Sequence, residues 1–145
     1  MNSTTSILIS ACLIGEPCRF DGQSKERTDL LDLLKEYNLI AVCPEVAGGL
    51  PTPRPPAEIT GTQVLRENGE DVTAQFQTGS QECLDRGITE NTSRAILKSR
   101  SPACGCGQIY DGTFTGKLID GDGIFTQTLK TAGIECISDK DYLKI

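Results

Sequence analysis

The sequence predicts an α/β fold: a small open, mainly parallel sheet of about four strands with flanking helices, Rossmann-like, plus a short β-hairpin insertion. Three observations predict it. Short apolar runs recur at residues 7–11, 39–43, 94–98 and 134–138, each the length of a buried strand and too short for a stable helix. Stretches of helical period separate them. The first two runs and the helix between them fill residues 7–43, the spacing of a βαβ unit with a right-handed crossover. With 145 residues the chain has the length of one domain, and a single domain over residues 1–145 is expected.

Residues 7–11 (Ile-Leu-Ile-Ser-Ala) suit a buried strand, followed by a loop with Gly15, Pro17, Asp21 and Gly22. From Thr28 to Tyr37, Leu30, Leu31, Leu33, Leu34 and Tyr37 recur every three or four positions, which predicts a helix that Thr28 is placed to cap. Pro44 stops the second strand. Residues 44–58 contain five prolines beside Ala47, Gly48 and Gly49; fixed φ angles and missing donors predict a stiff, irregular loop. Residues 62–66 and 70–73 flank Asn68-Gly69, a type I′ signal that puts the hairpin insertion there. Residues 73–89 read as a helix with Phe76, Cys83 and Leu84 on one side, although Gly79 weakens its interior. After the third strand, Asp111-Gly112 marks a small hairpin within residues 109–114. Asp120-Gly-Asp-Gly123 introduces a last helix running to Thr131, Gly133 is placed to end it, and residues 134–138 supply the last strand.

Composition narrows the chemistry. There is no histidine, which excludes Ser-His-Asp triads, Cys-His dyads, histidine general bases and zincin motifs. Lys+Arg 14 against Asp+Glu 20 gives a net charge of −6. A long phosphate backbone needs a basic face, so no DNA partner is expected and whole tRNA is a poor fit; a small ligand remains open. No basic residue precedes the first apolar run, and no stretch approaches the ~20 apolar residues of a membrane span. A cytoplasmic protein without a membrane partner is expected, as a monomer or homodimer. Seven cysteines, an odd number in a reducing compartment, then point to metal or thiol chemistry rather than a disulfide framework.

In open parallel sheets, ligands gather beyond the carboxyl ends of the strands. Cys12 follows the first predicted strand, Cys43 ends the second and Cys104 lies in the loop after the third. These distant thiols are therefore expected on one edge. Three thiolates with an open fourth position suit an iron–sulfur cluster or a catalytic zinc, although zinc would here lack histidine, its commonest catalytic ligand. Spacing alone leaves scattered structural thiols as the alternative. Cys83 and Cys136 read as core. Cys18, in the first loop, and Cys106, in Cys-x-Cys with Cys104, compete for ligation. The absence of Cys-x-x-Cys argues against a thioredoxin-like redox site.

Polar residues stand beside these thiols. Glu45, after Cys43-Pro44, is placed to act as general base or acid, or is an exposed loop acid. Ser101 opens Ser-Pro-Ala-Cys-Gly and is either a site residue or a turn starter. Gly105 and Gly107 offer N–H groups for an anion-binding nest, or serve turn geometry. Asp120 and Asp122 resemble a calcium-loop fragment without its later glutamate, so a helix cap is the expected role. Arg54, Lys98 and Arg100 lie near the expected site in sequence and are candidates to meet a substrate phosphate.

Four blocks in order carry a resemblance over residues 7–138: Ser10-Ala-Cys-Leu-Ile-Gly15 with Arg19-Phe-Asp-Gly22; Cys43-Pro-Glu45 with Gly48-Gly-Leu50; Pro53-Arg-Pro-Pro-Ala-Glu58; and Leu97-Lys-Ser-Arg-Ser-Pro-Ala-Cys-Gly105 with Tyr110-Asp-Gly112. Together they resemble the thiouracil desulfurase family. The resemblance implies a 4Fe–4S cluster bound by Cys12, Cys43 and Cys104, with one open iron to take the substrate's sulfur. It implies catalytic roles for Glu45 and Ser101, and removal of sulfur from thiolated uracil (2-thiouracil, 4-thiouracil or their mononucleotides) to give the oxo-pyrimidine and sulfide. Ala103 stands where the family often has serine. A further tRNA-associated domain found in some relatives is not seen in this sequence. A non-catalytic iron–sulfur carrier or sulfide-binding sensor is the competing reading, and a three-thiolate zinc hydrolase a third.

Overall fold

The structure, a computed structural model, describes residues 5–144. The first residues, where no targeting signal is expected, lie mostly outside that range. Four parallel strands form the main sheet: β1 (Ser6–Ser10), β2 (Asn38–Val42), β5 (Arg94–Leu97) and β8 (Glu135–Ser138), in the order β2-β1-β5-β8. The expected mainly parallel four-stranded sheet is present, and the strand bounds fall within a residue of the predicted runs. Leu8 pairs with both Ile40 and Ala95, while Ile9 pairs with Ala41 and Ile96. Because side chains alternate along a strand, Leu8 joins the core under one face while Ile7 and Ile9 join the core under the other. The first face is covered by α3 (Thr73–Thr89) and α4 (Ile124–Thr131) through Phe76, Leu84, Phe125 and Leu129. The second is covered by α1 (Thr28–Leu33) and α5 (Asp139–Tyr142) through Leu30 and Tyr142. Among the described residues, no helix is long and apolar enough to cross a membrane.

Several local expectations are corrected. α1 stops at Leu33, and Thr28 is its first residue; the cap position falls to Arg27, without a side-chain capping bond. Residues 44–58 are not wholly irregular: Pro44, which lacks only a donor that a helix start leaves unused, opens the short helix α2 (Pro44–Ala47). The hairpin insertion pairs β3 (Ala57–Thr60) with β4 (Gln63–Arg66) around Gly61-Thr62, not around Asn68-Gly69. Gly61 has φ +64°, and glycine as the first central residue suits the II′ family of hairpin turns. Asn68-Gly69 does form a turn, closed by a single bridge between Leu65 and Asp71. The small hairpin around Asp111-Gly112 is wider than expected, with β6 (Gln108–Tyr110) pairing with β7 (Leu118–Asp120). Neither Asp120 nor Asp122 caps α4. Its cap is Gly123, and the first helical amides donate to the Pro102 and Ala103 carbonyls instead.

Candidate functional site

From β1 the chain moves outward to β2, then returns across β1 to β5. Such a reversal leaves a crevice at the carboxyl ends of the strands. A cavity of about 820 Å³ lies there, and Cys12, Cys43, Cys104, Glu45 and Ser101 all line it. Cys12 stands in a single 3-10 turn after β1, Cys43 at the N-cap of α2, and Cys104 in the turn between β5 and β6. Cys18 lines the same cavity, and the Cys43 Sγ lies 3.8 Å from the Cys18 carbonyl oxygen. Cys106 opens into a smaller neighbouring cavity instead. Cys83 is buried in the core as expected, whereas Cys136 on the edge strand is half-buried.

The thiol environment favours the protonated form. Contact with Cys12 pushes Cys18 up to about 11, against the opposing effect of Cys43. Contact with Cys18, then burial, drives Cys43 well above the thiol range, and burial does the same to Cys104. A coordinating metal reverses that balance, since a ligating thiol is deprotonated outright. Soft sulfur donors from three separate strand ends, in a chain without imidazole, fit an iron–sulfur group. Among the described residues, no three Cys, Asp or Glu side chains converge tightly enough for a single metal ion.

Glu45 is not a free loop acid. Arg54, buried to 6% exposure, donates from Nε to Glu45 Oε1 at 3.0 Å. Its other nitrogens donate to the Pro51 carbonyl, the Thr52 hydroxyl and the Cys18 carbonyl at 2.8 Å. One guanidinium therefore ties the carboxylate to two loops of the site, and Arg54 is committed to this role rather than free for a phosphate. The fork geometry explains why arginine, not lysine, stands here. Arg54→Gln is expected to lower unfolding stability by about 3 kcal/mol, because it strands a partly buried carboxylate and a carbonyl. Arg54→Lys should recover less than half of that loss in urea titrations.

α2 holds Glu45 against α3 by backbone contact. A Cβ added at Gly79 would overlap the Pro44 carbonyl oxygen, and one added at Gly48 would overlap that of Gln75. Gly79, which weakens the helix by propensity, is therefore what lets α2 approach.

Ser101 is both a turn former and a cavity residue. Its Oγ accepts the amide N–H groups of Ala103 at 3.1 Å and Cys104 at 3.0 Å. A hydroxyl has two acceptor sites and one donor, so this one has only its proton left to offer a ligand. The Cys104 carbonyl in turn accepts from the buried Thr126 hydroxyl at 3.0 Å, which fastens the turn to α4. The nest reading of Gly105 and Gly107 is overturned because both amides are spent, on the Ser101 carbonyl and the Asp122 carboxylate. That second contact, with the Lys130 ion pair, is what Asp122 does instead of capping.

Charge is distributed unevenly for an acidic chain. Seven of its 14 basic residues line this cavity. Arg54, Arg27 and Arg19 are paired with Glu45, Asp139 and Asp21. Lys25, Lys98, Arg100 and Lys140 have no carboxylate partner among the described residues, and burial pulls Lys98 below the usual lysine range. Among the lining residues to which sequence alone assigns no role are Glu58 on β3 and Tyr110 at the end of β6, both inside the quoted blocks, and Phe114 in the loop beyond. Phe114 carried a signal, being a lone aromatic in a run of Asp, Gly and Thr with no core to fill.

Comparison with known proteins agrees with this geometry. The model of a family described as 2-thiouracil desulfurase matches residues 7–141. The uncharacterized protein YbbK of Bacillus subtilis (strain 168) is 39% identical, over 93% of this chain and 96% of its own. A solved structure, that of the 4Fe-4S-dependent thiouracil desulfidase TudS, superposes with a TM-score of 0.89 at 43% identity, covering 97% of this chain and 95% of that one.

Proposed function

The chain belongs to the 2-thiouracil desulfurase family, and from that premise we propose that it is an enzyme replacing the C=S of a thiolated uracil by C=O, with release of sulfide. The observation carrying this reading is the meeting of three thiols, a carboxylate and a hydroxyl in one cavity at the sheet's reversal point. Cys12, Cys43 and Cys104 would hold a 4Fe–4S cluster. When bound, the cluster supplies a soft Lewis acid for the thiocarbonyl sulfur.

The chain's own residues supply the rest. Glu45, fixed through Oε1 by Arg54, accepts at its other oxygen a proton from the water that attacks the C–S carbon. It returns that proton to the departing sulfur and takes the remaining hydroxyl proton as the carbonyl forms, so that hydrosulfide leaves and Glu45 gives up its proton to solvent. Thiocarbonyl and water become carbonyl and hydrogen sulfide, with no electron gained or lost. Ser101, with both acceptor sites used by amides, serves as a donor that holds the ring, a role these bonds favour over proton relay. The unpaired cations around the cavity favour a substrate with a phosphate, so the mononucleotide is the preferred form.

The test is anaerobic. Iron and acid-labile sulfide are quantified in the purified protein while loss of thiouracil absorbance is followed. About four irons per chain with sulfide release are expected. A loaded cluster without turnover on any thiolated uracil would make the protein a carrier or sensor, and no iron after reconstitution would overturn the reading. A thiouridine 5′-monophosphate is expected to have a kcat/KM about tenfold or more above that of the free base, as one charge-assisted hydrogen bond allows. The gap should narrow as salt rises; equal values at low salt would remove the phosphate from the reading.

A further inference from the structure

The cavity wall contributed by β6 and the loop after it contains a strained residue that the mechanism above does not use. Phe114 has φ +57°, a left-handed backbone that bulky side chains rarely adopt. Strain of this kind persists only where the surroundings impose it, and it gathers at ligand clamps. Here they impose it from several sides. Glu58 Oε1, on β3, accepts the N–H of Gly112 at 3.0 Å and that of Phe114 at 3.2 Å. Gly112, at φ +92°, lies so close to β3 that an added Cβ would be 2.5 Å from the Thr60 hydroxyl oxygen. The Asp111 carboxylate holds both the amide and the hydroxyl of Thr113, and that hydroxyl bonds Thr115 at 2.6 Å. Yet Phe114 belongs to neither apolar core; it lines the cavity.

We propose that Phe114 determines specificity by stacking on the planar ring of the substrate, and that Glu58 is the positioning residue that latches it there. The identity of that ring rests on the thiolated-uracil reading; the wall itself rests on the loop geometry. A conjugated pyrimidine gains from an aromatic face, while a puckered, saturated ring does not.

The experiment compares Phe114→Leu, Phe114→Tyr and Phe114→Asn in anaerobically loaded protein. KM and kcat are measured on 2-thiouracil, and calorimetry gives Kd for uracil and dihydrouracil. Leu and Asn are expected to raise KM and the uracil Kd by about tenfold or more, with kcat little changed, while Tyr stays close to wild type. The preference for uracil over dihydrouracil should vanish in the Leu variant. Phe114→Asn should melt no earlier than wild type, since asparagine tolerates this backbone; a phenylalanine kept only for structure would show earlier melting. Glu58→Ala should reproduce the KM effect, and Glu58→Gln, which keeps the accepting oxygen, should restore it. A Leu variant that binds and turns over like wild type overturns the wall and leaves the desulfurase intact. A wild type that shows the ring preference without turnover supports the wall and overturns the desulfurase. Neither binding nor turnover overturns both.

Discussion

Glu45→Gln is expected to lower kcat by about 10²–10⁴-fold while the iron and acid-labile sulfide of the anaerobically loaded protein stay at wild-type levels. The amide is nearly isosteric, and its carbonyl oxygen keeps the acceptor that Arg54 Nε now uses at 3.0 Å. The contact geometry is therefore preserved, while the capacity to take a proton is lost together with the charge that pairs with the buried guanidinium, so a lower melting temperature is expected alongside the lower kcat. Near-wild-type turnover in this variant would end the base assignment. Loss of iron along with activity would make Glu45 a support of the cluster loop rather than a proton carrier. Ser101→Ala should behave differently: it orphans the Ala103 and Cys104 amides, so iron retention and turnover fall together.

The second large effect reverses a general rule. Exposed Gly→Ala changes inside helices usually stabilise by about 0.5–1 kcal/mol. At Gly79 the same change is expected to destabilise by about 3 kcal/mol, the upper part of the usual overpacking range, because the new methyl meets the Pro44 carbonyl. For a chain of this size that lowers the thermal midpoint by on the order of 10 °C. α2 carries Glu45 and begins beside Cys43, so iron loading and activity should fall as well. A Gly79→Ala protein that melts at or above the wild-type temperature would show that α2 has room to move.

What could be read in the sequence follows from how local each feature is. The four parallel strands were legible because each is a short apolar run, and α3 runs from Thr73 to Thr89 as its periodicity predicts. The hairpin was displaced because Asn68-Gly69 is the stronger turn signal, while strand β3 lies inside a proline-rich stretch that reads as coil. The cap of α4 is not legible locally because backbone carbonyls of a distant loop, not a neighbouring carboxylate, meet its amides. The meeting of Cys12, Cys43, Cys104, Glu45 and Ser101 at one cavity was legible because strand ends in a parallel sheet share an edge. The position of Arg54 in the sequence makes it a phosphate candidate, and nothing within its own segment reveals that it turns inward to Glu45 and Cys18. Glu58 and Phe114 were missed for the same reason: the partners are more than 50 residues apart.

The strand order also sets a timetable for biogenesis. β1 pairs on one side with β2, close behind it in the chain, and on the other with β5, where Leu8 meets Ala95. During synthesis the first βαβ unit can emerge with Cys12, Cys18 and Cys43 already translated, while Cys104 is still to be made. A nascent chain at that stage has an unfinished centre and nothing to shield it from oxidants or stray soft metals. A cluster held by all three of Cys12, Cys43 and Cys104 could be loaded only once Cys104 has been made, and slow translation through the middle of the message would lengthen the interval before that.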